Sequence, residues 1–339
     1  MKINREDLIN SLEMVRAGLS AREFIEQSSC FAFSDGMVMT FNDEIACRKE
    51  VPISITGAVQ AAPLIEILNK IDDPELKVDE SEEGKLRFLA KNKRFWLVKD
   101  AEIFLPIDKV EVPEKWKSLP KDFTEAVGLV HHCVSSDESR FLLTCIHIHP
   151  EYVEACDNLQ IMRCQIKTGL KKPTLVRGSS LKYITSLGMD QISLTKSWVH
   201  FKNPAGLIFS CRRYVEDYPD LSQFMKFEGQ DVVIPKGLTE AAERAAIFAE
   251  DKSGDPQVFI DLSPGRLVIT GIGISGKYEE RKKVAYEGTP LKFAIAPDLL
   301  KHISEKYTNA EINEGRLKVK AGHWEYLTVL GKPKDKEEV

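Results

Sequence analysis

Residues 197–224 read SWVHFKNPAGLIFSCRRYVEDYPDLSQF, and this stretch decides the fold because its pattern recurs along the chain. Trp198 and His200 alternate along a strand, Asn203-Pro204-Ala205-Gly206 carries turn chemistry, and Leu207, Ile208 and Phe209 resume as a second apolar strand. The segment reads as a β-hairpin. Beyond it, Tyr218-Pro219-Asp220 ends any strand, since proline fixes its own φ, donates no backbone hydrogen bond and holds Tyr218 extended. A domain boundary is expected there.

Upstream of the hairpin, residues 123–134 place Ala126, Val127, Val130 and Val134 on one helical stripe, residues 141–148 and 152–165 read as extended, and Leu181, Ile184 and Leu187 mark a helix over 179–187. The same series precedes it. Asn4 caps a helix over 4–18 with Leu8, Ile9, Leu12 and Val15 on one face, strands follow at 30–33 and 37–41, and residues 44–56 continue extended. A second helix over 61–71 carries Leu64, Ile67, Leu68 and Ile71, and strands at 76–78, 85–90 and 94–98 complete the set. A third round begins after Pro219, with helices over 238–248 and 297–303 and strands at 258–261, 266–270, 317–319 and 324–329.

Three rounds of helix, strands, helix, strands at a period of roughly 110 residues are a repeat of whole domains, too long for a solenoid unit. The expected domains are 1–118, 119–228 and 229–331, followed by a charged tail, 332–339, whose composition predicts no fixed structure. Each domain should set two amphipathic helices on one face and an antiparallel sheet on the other, which is an α+β arrangement.

The 339 residues are 43% hydrophobic and 29% charged, enough for ordinary soluble cores in several domains. Arg5, Glu6, Asp7 and Glu13 interrupt the N-terminal apolar residues, so a signal peptide is not expected and the mature chain is read as starting at Met1. The seven cysteines contain no C-x-x-C pair and sit in apolar runs, as reduced core thiols of a cytoplasmic protein would. A net charge of −5 excludes wholesale coating of nucleic acid, though not a local basic face.

Enzyme motifs are absent: the chain has no G-x-x-x-x-G-K-[ST], no G-x-S-x-G and no H-E-x-x-H. Gly271-Ile272-Gly273-Ile274-Ser275-Gly276 mimics a dinucleotide loop, but it leads into the charged strand-like run 277–283 and is read as a glycine-rich connection. His131-His132-Cys133 and His147-Ile148-His149 offer ligand types that suit zinc without a fourth ligand at convincing spacing, so no metal and no cofactor are expected. Asp43 and Asp157 belong to different repeats and are read as turn-capping residues, not as a catalytic carboxylate pair.

Two motifs add a resemblance. Cys156-Asp157-Asn158-Leu159-Gln160-Ile161 stands where the bacterial DNA polymerase III β subunit, the sliding clamp, has a Thr-Asp-Gly-His-Arg-Leu turn, and Tyr218-Pro219-Asp220 matches that family's exit into its third domain. With the threefold repeat, the whole chain resembles this family, and its drift from the bacterial pattern suits a divergent or phage-encoded member. The resemblance implies a non-catalytic processivity factor: a DNA clamp fold of three repeated domains, inner helices and outer antiparallel sheets, closing into a ring as a head-to-tail homodimer. Its implied partners are double-stranded DNA held without sequence preference, a replicative DNA polymerase and a clamp loader, in the cytoplasm and away from membranes. The alternative is a clamp-fold replisome protein that binds peptide motifs without encircling DNA.

Site residues follow from the same resemblance. Subunit contacts would join Arg94, Phe95 and Leu97 to Ile247, Phe248, Glu279 and Glu280. A partner-peptide pocket would use Leu143, Cys156, Leu159, Ile161, Pro219, Phe224, Val329 and Leu330, with an apolar floor but without the family's basic rim, since Gln223 stands where the family has arginine. Duplex DNA would face Arg16, Arg22, Lys70, Lys121, Lys182, Lys236, Arg244 and Lys301.

Overall fold

The computed structural model describes residues 1–235, 237–249, 256–313 and 315–332, which form two compact units. Unit one comprises Met1–Val153 and Ile166–Tyr218; unit two comprises Glu154–Gln165 and the chain from Pro219 onward. The boundary between Tyr218 and Pro219 is where the sequence places a stop. Lys236 and the tail from residue 333 lie outside the described residues.

Unit one is built on an antiparallel sheet of 12 strands. Across it run Lys2–Asn4, Glu75–Asp79, Lys85–Leu89, Arg94–Asp100, Gly57–Gln60, Cys30–Ser34, Met37–Phe41, Ile45–Glu50, Ile208–Arg212, Trp198–Lys202, Gln191–Leu194 and Lys117–Ser118. The hairpin is present, with Phe201 opposite Phe209 and Trp198 opposite Arg212. Asn203 holds its turn: the side-chain oxygen accepts the Leu207 N–H at 3.0 Å, and the amide donates to the Leu187 carbonyl at 2.9 Å. The outer hairpin strand pairs in turn with Ile45–Glu50, with Cys211 opposite Ile45, so the first two repeats share one sheet through backbone hydrogen bonds. Trp198 is fully buried there, 6.1 Å from the ring of Phe41.

Helices cover this sheet in pairs. Arg5–Val15 begins where the Asn4 side-chain oxygen accepts the N–H groups of Glu6 and Asp7 at 2.8 and 3.2 Å, and buries Leu8, Leu12 and Val15. It packs on Ala61–Lys70, which buries Leu64 and Leu68. Phe123–Val130 pairs with the 178–185 segment. Two expected helices are shorter than the periodicity suggests, because α-helix gives way to 3-10 turns at His131–Cys133 and Lys182–Thr185. Between the two segments Gly178 lies against Val134, where a Cβ would overlap the valine side chain. Residues 141–144 also depart from the extended reading, since Asp137 caps a 3-10 segment, Glu138–Thr144, and the strand starts only at Cys145.

Unit two holds a sheet in which Gln160–Gln165, Trp324–Val329, Arg316–Ala321, Asn309–Ile312 and Gln230–Val233 are neighbours in that order. A second sheet runs Gly276–Lys283, Arg266–Gly273, Val258–Ser263 and Leu291–Ile295. Helices Leu238–Ala246 and Pro297–Lys306 pack together, with the Thr239 and Ser304 hydroxyls 2.8 Å apart. The glycine-rich run 271–276 is a hairpin turn with Gly273 opposite Gly276. Among the described residues no helix is long and apolar enough to cross a membrane.

Candidate functional site

Unit two gathers the turn at 156–161 and the exit stretch after Pro219 around one cavity of ≈ 460 Å³. Antiparallel pairing of Gln160–Gln165 with Trp324–Val329 sets Ile161 opposite Leu327, and both side chains are buried in the floor with Cys156. Three apolar residues stand open at the rim: Leu159 is 52% exposed, and Phe224 and Val329 are 45% exposed. Pro219 and Leu221 complete the apolar wall.

Local chemistry fixes this geometry. Asp157 accepts the N–H groups of Leu159 and Gln160 at 2.7 and 2.8 Å, the turn-capping role its type and place suggest. In the matching turn of unit one that role falls instead to Asn42, whose oxygen accepts from Glu44 and Ile45, while Asp43 takes a positive φ of 75°. Leu159 is pinned through its carbonyl, which accepts the Val329 N–H at 2.8 Å. Phe224 sits on a helical turn, Ser222–Met225, started by Asp220, whose carboxylate accepts the Ser222 N–H at 2.9 Å; that bond and the serine hydroxyl hold the Asp220 carboxyl below its usual range. Underneath, the Arg163 guanidinium lies 2.7 Å from the buried Glu154 carboxylate and 3.4 Å from the Ser222 hydroxyl.

Six of the eight expected pocket residues line the cavity: Cys156, Leu159, Ile161, Pro219, Phe224 and Val329. Leu330 is buried beside it without lining it, and Leu143 lies in the 3-10 segment of unit one. Sequence reasoning missed Leu221, Leu327 and Arg316. The guanidinium of Arg316 changes the expectation of a rim without positive charge, because it is exposed at the cavity and has no carboxylate partner among the described residues. An apolar floor, three apolar side chains at the rim and one cation suit an extended peptide with apolar anchors.

Two strand edges are the other exposed features. In the strand Arg94–Asp100, residues 94–98 pair with Lys85–Leu89, whereas on the other side only Lys99 and Asp100 find ladder partners. Phe95 and Leu97 are half-buried, with Phe95 stacked on Phe88 at 4.8 Å, so the expected contact residues face the neighbouring strand's core side. Trp96 and Val98 occupy the opposite face, 53% and 66% exposed. In unit two, Gly276–Lys283 ends its sheet. Ile247 near it is 68% exposed, Phe248 stacks on Tyr278 at 5.9 Å, Glu280 forms a two-pronged ion pair with Arg244, and Glu279 pairs with Arg281.

Solved structures share this architecture across nearly the entire chain. The DNA polymerase III β sliding clamp of Pseudomonas aeruginosa bound to griselimycin superimposes with a TM-score of 0.83 at 15% identity, covering 98% of this chain and 99% of that one. The polymerase III β chain of Streptococcus pneumoniae gives 0.83 at 16% identity, and the β subunit from Streptococcus pyogenes 0.81 at 18%, each with the same coverage. The chain has the sliding-clamp fold. No protein-family model and no curated protein matches its sequence.

Within this clamp fold, carboxylates hold four of the eight basic residues expected to face DNA. Arg16 pairs with Glu13 at 3.2 Å, Lys70 with Glu66 at 2.5 Å, Arg244 with Glu280 at 2.7 Å and Lys301 with Glu243 at 2.6 Å. The Glu243 hydrogen bond raises the Lys301 ammonium above its ordinary range, and Lys70 lowers the Glu66 carboxyl. Lys182 lies 5.5 Å from the Tyr183 ring, while Arg22 and Lys121 are exposed. Beside Arg22, Phe24 is 88% exposed, an aromatic that a periodicity search does not detect because it lies in a loop. Among the described residues no three His, Cys, Asp or Glu side chains gather as metal ligands. His149 instead stacks on Tyr152 at 4.2 Å, and His147 lies 4.9 Å from Tyr218.

Proposed function

We propose that this protein is a DNA sliding clamp: two copies close head to tail into a ring around duplex DNA and hold a replicative polymerase on its template. The observation carrying this reading is the clamp fold over 98% of the chain, with the cavity at the turn where the motif resemblance puts the partner pocket. In this reading the repeats are 1–118, 119–228 and 229–331, each carrying one helix pair. A closed ring retains DNA by topology, so the chain itself has no catalytic step to perform, and a mixed rather than uniformly basic set of helix residues suffices for sliding over phosphates.

Ring closure would pair the open edge at Arg94–Val98 of one copy with Gly276–Lys283 of the next, covering Trp96, Val98 and Ile247. An apolar edge left open in a soluble protein invites association, and cationic Arg94 and acidic Glu279 provide charges of opposite sign to set the register. The polymerase and a clamp loader would insert apolar peptide anchors into the cavity of unit two. A cytoplasmic replisome is the setting in which such a ring acts.

Light scattering after gel filtration at micromolar protein tests the assembly, with a dimer expected. Val98→Lys combined with Ile247→Asp should give monomers that keep peptide binding but no longer stimulate polymerase on circular templates. A scaffold that does not encircle DNA would retain its activity in this variant. Griselimycin, bound to two of the matching clamps, should bind this protein in competition with a peptide carrying apolar anchors, and binding without competition would count against the pocket assignment.

A further inference from the structure

A second concavity, of ≈ 700 Å³, lies wholly within unit one and belongs to neither the cavity nor the open edges described above. The 111–117 segment forms one wall, the loop around Leu170 another, and the strand Gln191–Leu194 the third. Six cations line it (Lys115, Lys117, Lys171, Lys172, Lys196 and Arg213), against two carboxylates, in a chain whose net charge is −5. Two of the cations are occupied: Lys117 donates to the Gly169 carbonyl at 3.3 Å, and Arg213 to the Thr174 hydroxyl and the Thr195 carbonyl at 2.8 and 3.0 Å. Lys115, Lys171, Lys172 and Lys196 are exposed and have no carboxylate partner among the described residues. Glu111 is turned into the wall, where it accepts the Ser197 N–H at 3.0 Å; the Thr195 hydroxyl and that amide keep its carboxyl below the usual range.

The floor is apolar, with Leu170 and Ile192 buried and Val112 70% exposed on the wall. Beyond the ladder pairs of Lys117–Ser118 with Gln191 and Ile192, the preceding segment still flanks this strand, the Ser193 hydroxyl donating to the Lys115 carbonyl at 2.7 Å. Free cations around apolar surface are the elements that bind an acidic extended segment, with charge for attraction and side-chain pockets for selection.

We propose that this groove docks an acidic extended peptide of a partner protein, its carboxylates meeting Lys115, Lys171, Lys172 and Lys196 while alternate apolar side chains reach Val112, Leu170 and Ile192. Duplex DNA would engage only the rim, leaving the apolar floor unused. The inference does not depend on the clamp reading, because its geometry lies inside unit one.

The test uses the full-length protein and a fluorescein-labelled peptide of about seven residues that alternates Glu with Leu or Ile, read by anisotropy. Binding is expected at roughly 10–100 μM in low salt, and weaker as salt rises. The triple variant K171E/K172E/K196E should lose at least about tenfold in affinity, with the corresponding glutamines intermediate. All three lysines are solvent-facing, so circular dichroism should be unchanged. Phe224→Ala in the other cavity should bind this peptide normally, which separates failure here from failure of the clamp pocket. The proposal is overturned by no binding of the wild type at millimolar peptide, by equal binding to the triple variant, or by displacement of the peptide with an equimolar short duplex.

Discussion

Replacing Phe224 by alanine measures what the cavity of unit two contributes to recognition. The ring leaves 45% of its surface open at the rim. Of the ~200 Å² that a phenylalanine typically buries, about 90 Å² is therefore available to a ligand, worth roughly 2 kcal/mol at ~25 cal/mol per Å². Affinity for a labelled peptide with Leu and Phe anchors should fall about 30-fold to 50-fold by anisotropy. The half of the ring already packed costs stability when removed, so binding is measured well below the variant's Tm and corrected for folded fraction. Arg316→Ala should weaken the same peptide by less, about twofold to fivefold, because an exposed charge contributes less than about 1 kcal/mol. A Phe224→Ala protein that is folded and binds within twofold of wild type would refute the placement of the anchor at this rim.

Buried His200 should make folding acid-sensitive. Burial lowers its imidazole from 6.5 to about 4, with the ring nitrogens 3.0 and 2.8 Å from the Thr195 and Ser210 hydroxyls. The unfolded chain takes up a proton below pH 6.5 while the folded chain stays neutral to about pH 4, so stability is full above that window and falls through it. Urea unfolding should show a loss of about 2 kcal/mol from this residue between pH 7 and pH 5, largely absent in His200→Gln. All seven cysteines are buried, with burial raising Cys30 to about 11 and Cys47 and Cys145 to about 12. Iodoacetamide at pH 8 should therefore label them only at the rate of unfolding, and rapid labelling of the native protein would contradict the packing. Gly271 lies so close to the Ala245 carbonyl that an added Cβ would overlap it. Gly271→Ala should cost about 1–3 kcal/mol by separating helix Leu238–Ala246 from its sheet, seen as a lowered urea midpoint.

The repeat was legible because its signals are local. The helical stripe Leu8, Leu12 and Val15, the 198–212 hairpin and the proline stop at 219 each follow from a few neighbouring residues, and each is present. Short strands such as Gly57–Gln60, Thr174–Arg177, Gln230–Val233 and Asn309–Ile312 were not legible, since four residues carry little alternation and only their partners make them strands. The cavity divides the same way. Leu159 and Phe224 come from the quoted motifs, while Leu327 arrives through pairing with Ile161, 166 residues earlier, and Arg316 through pairing with Val329. On Arg94–Asp100 the alternation was visible but not which face is covered; the stack of Phe95 on Phe88 decides that Trp96 and Val98 are the open ones.

Both places where successive repeats join inside a unit are main-chain ladders: Ile208–Arg212 on Ile45–Glu50, and Gln160–Gln165 on Trp324–Val329. Amide and carbonyl groups are the same in every residue but proline, so such a seam constrains the length and parity of its strands and almost nothing about their side chains. An architecture sewn this way can be inherited through wholesale replacement of its side chains. That accounts for a chain that superimposes on solved clamps over nearly its whole length while sharing about one residue in six with them. It also tells where selection has room to work: the seams stay fixed, and the rims they hold in place, from Leu159 to Arg316, are free to be rewritten for a different partner.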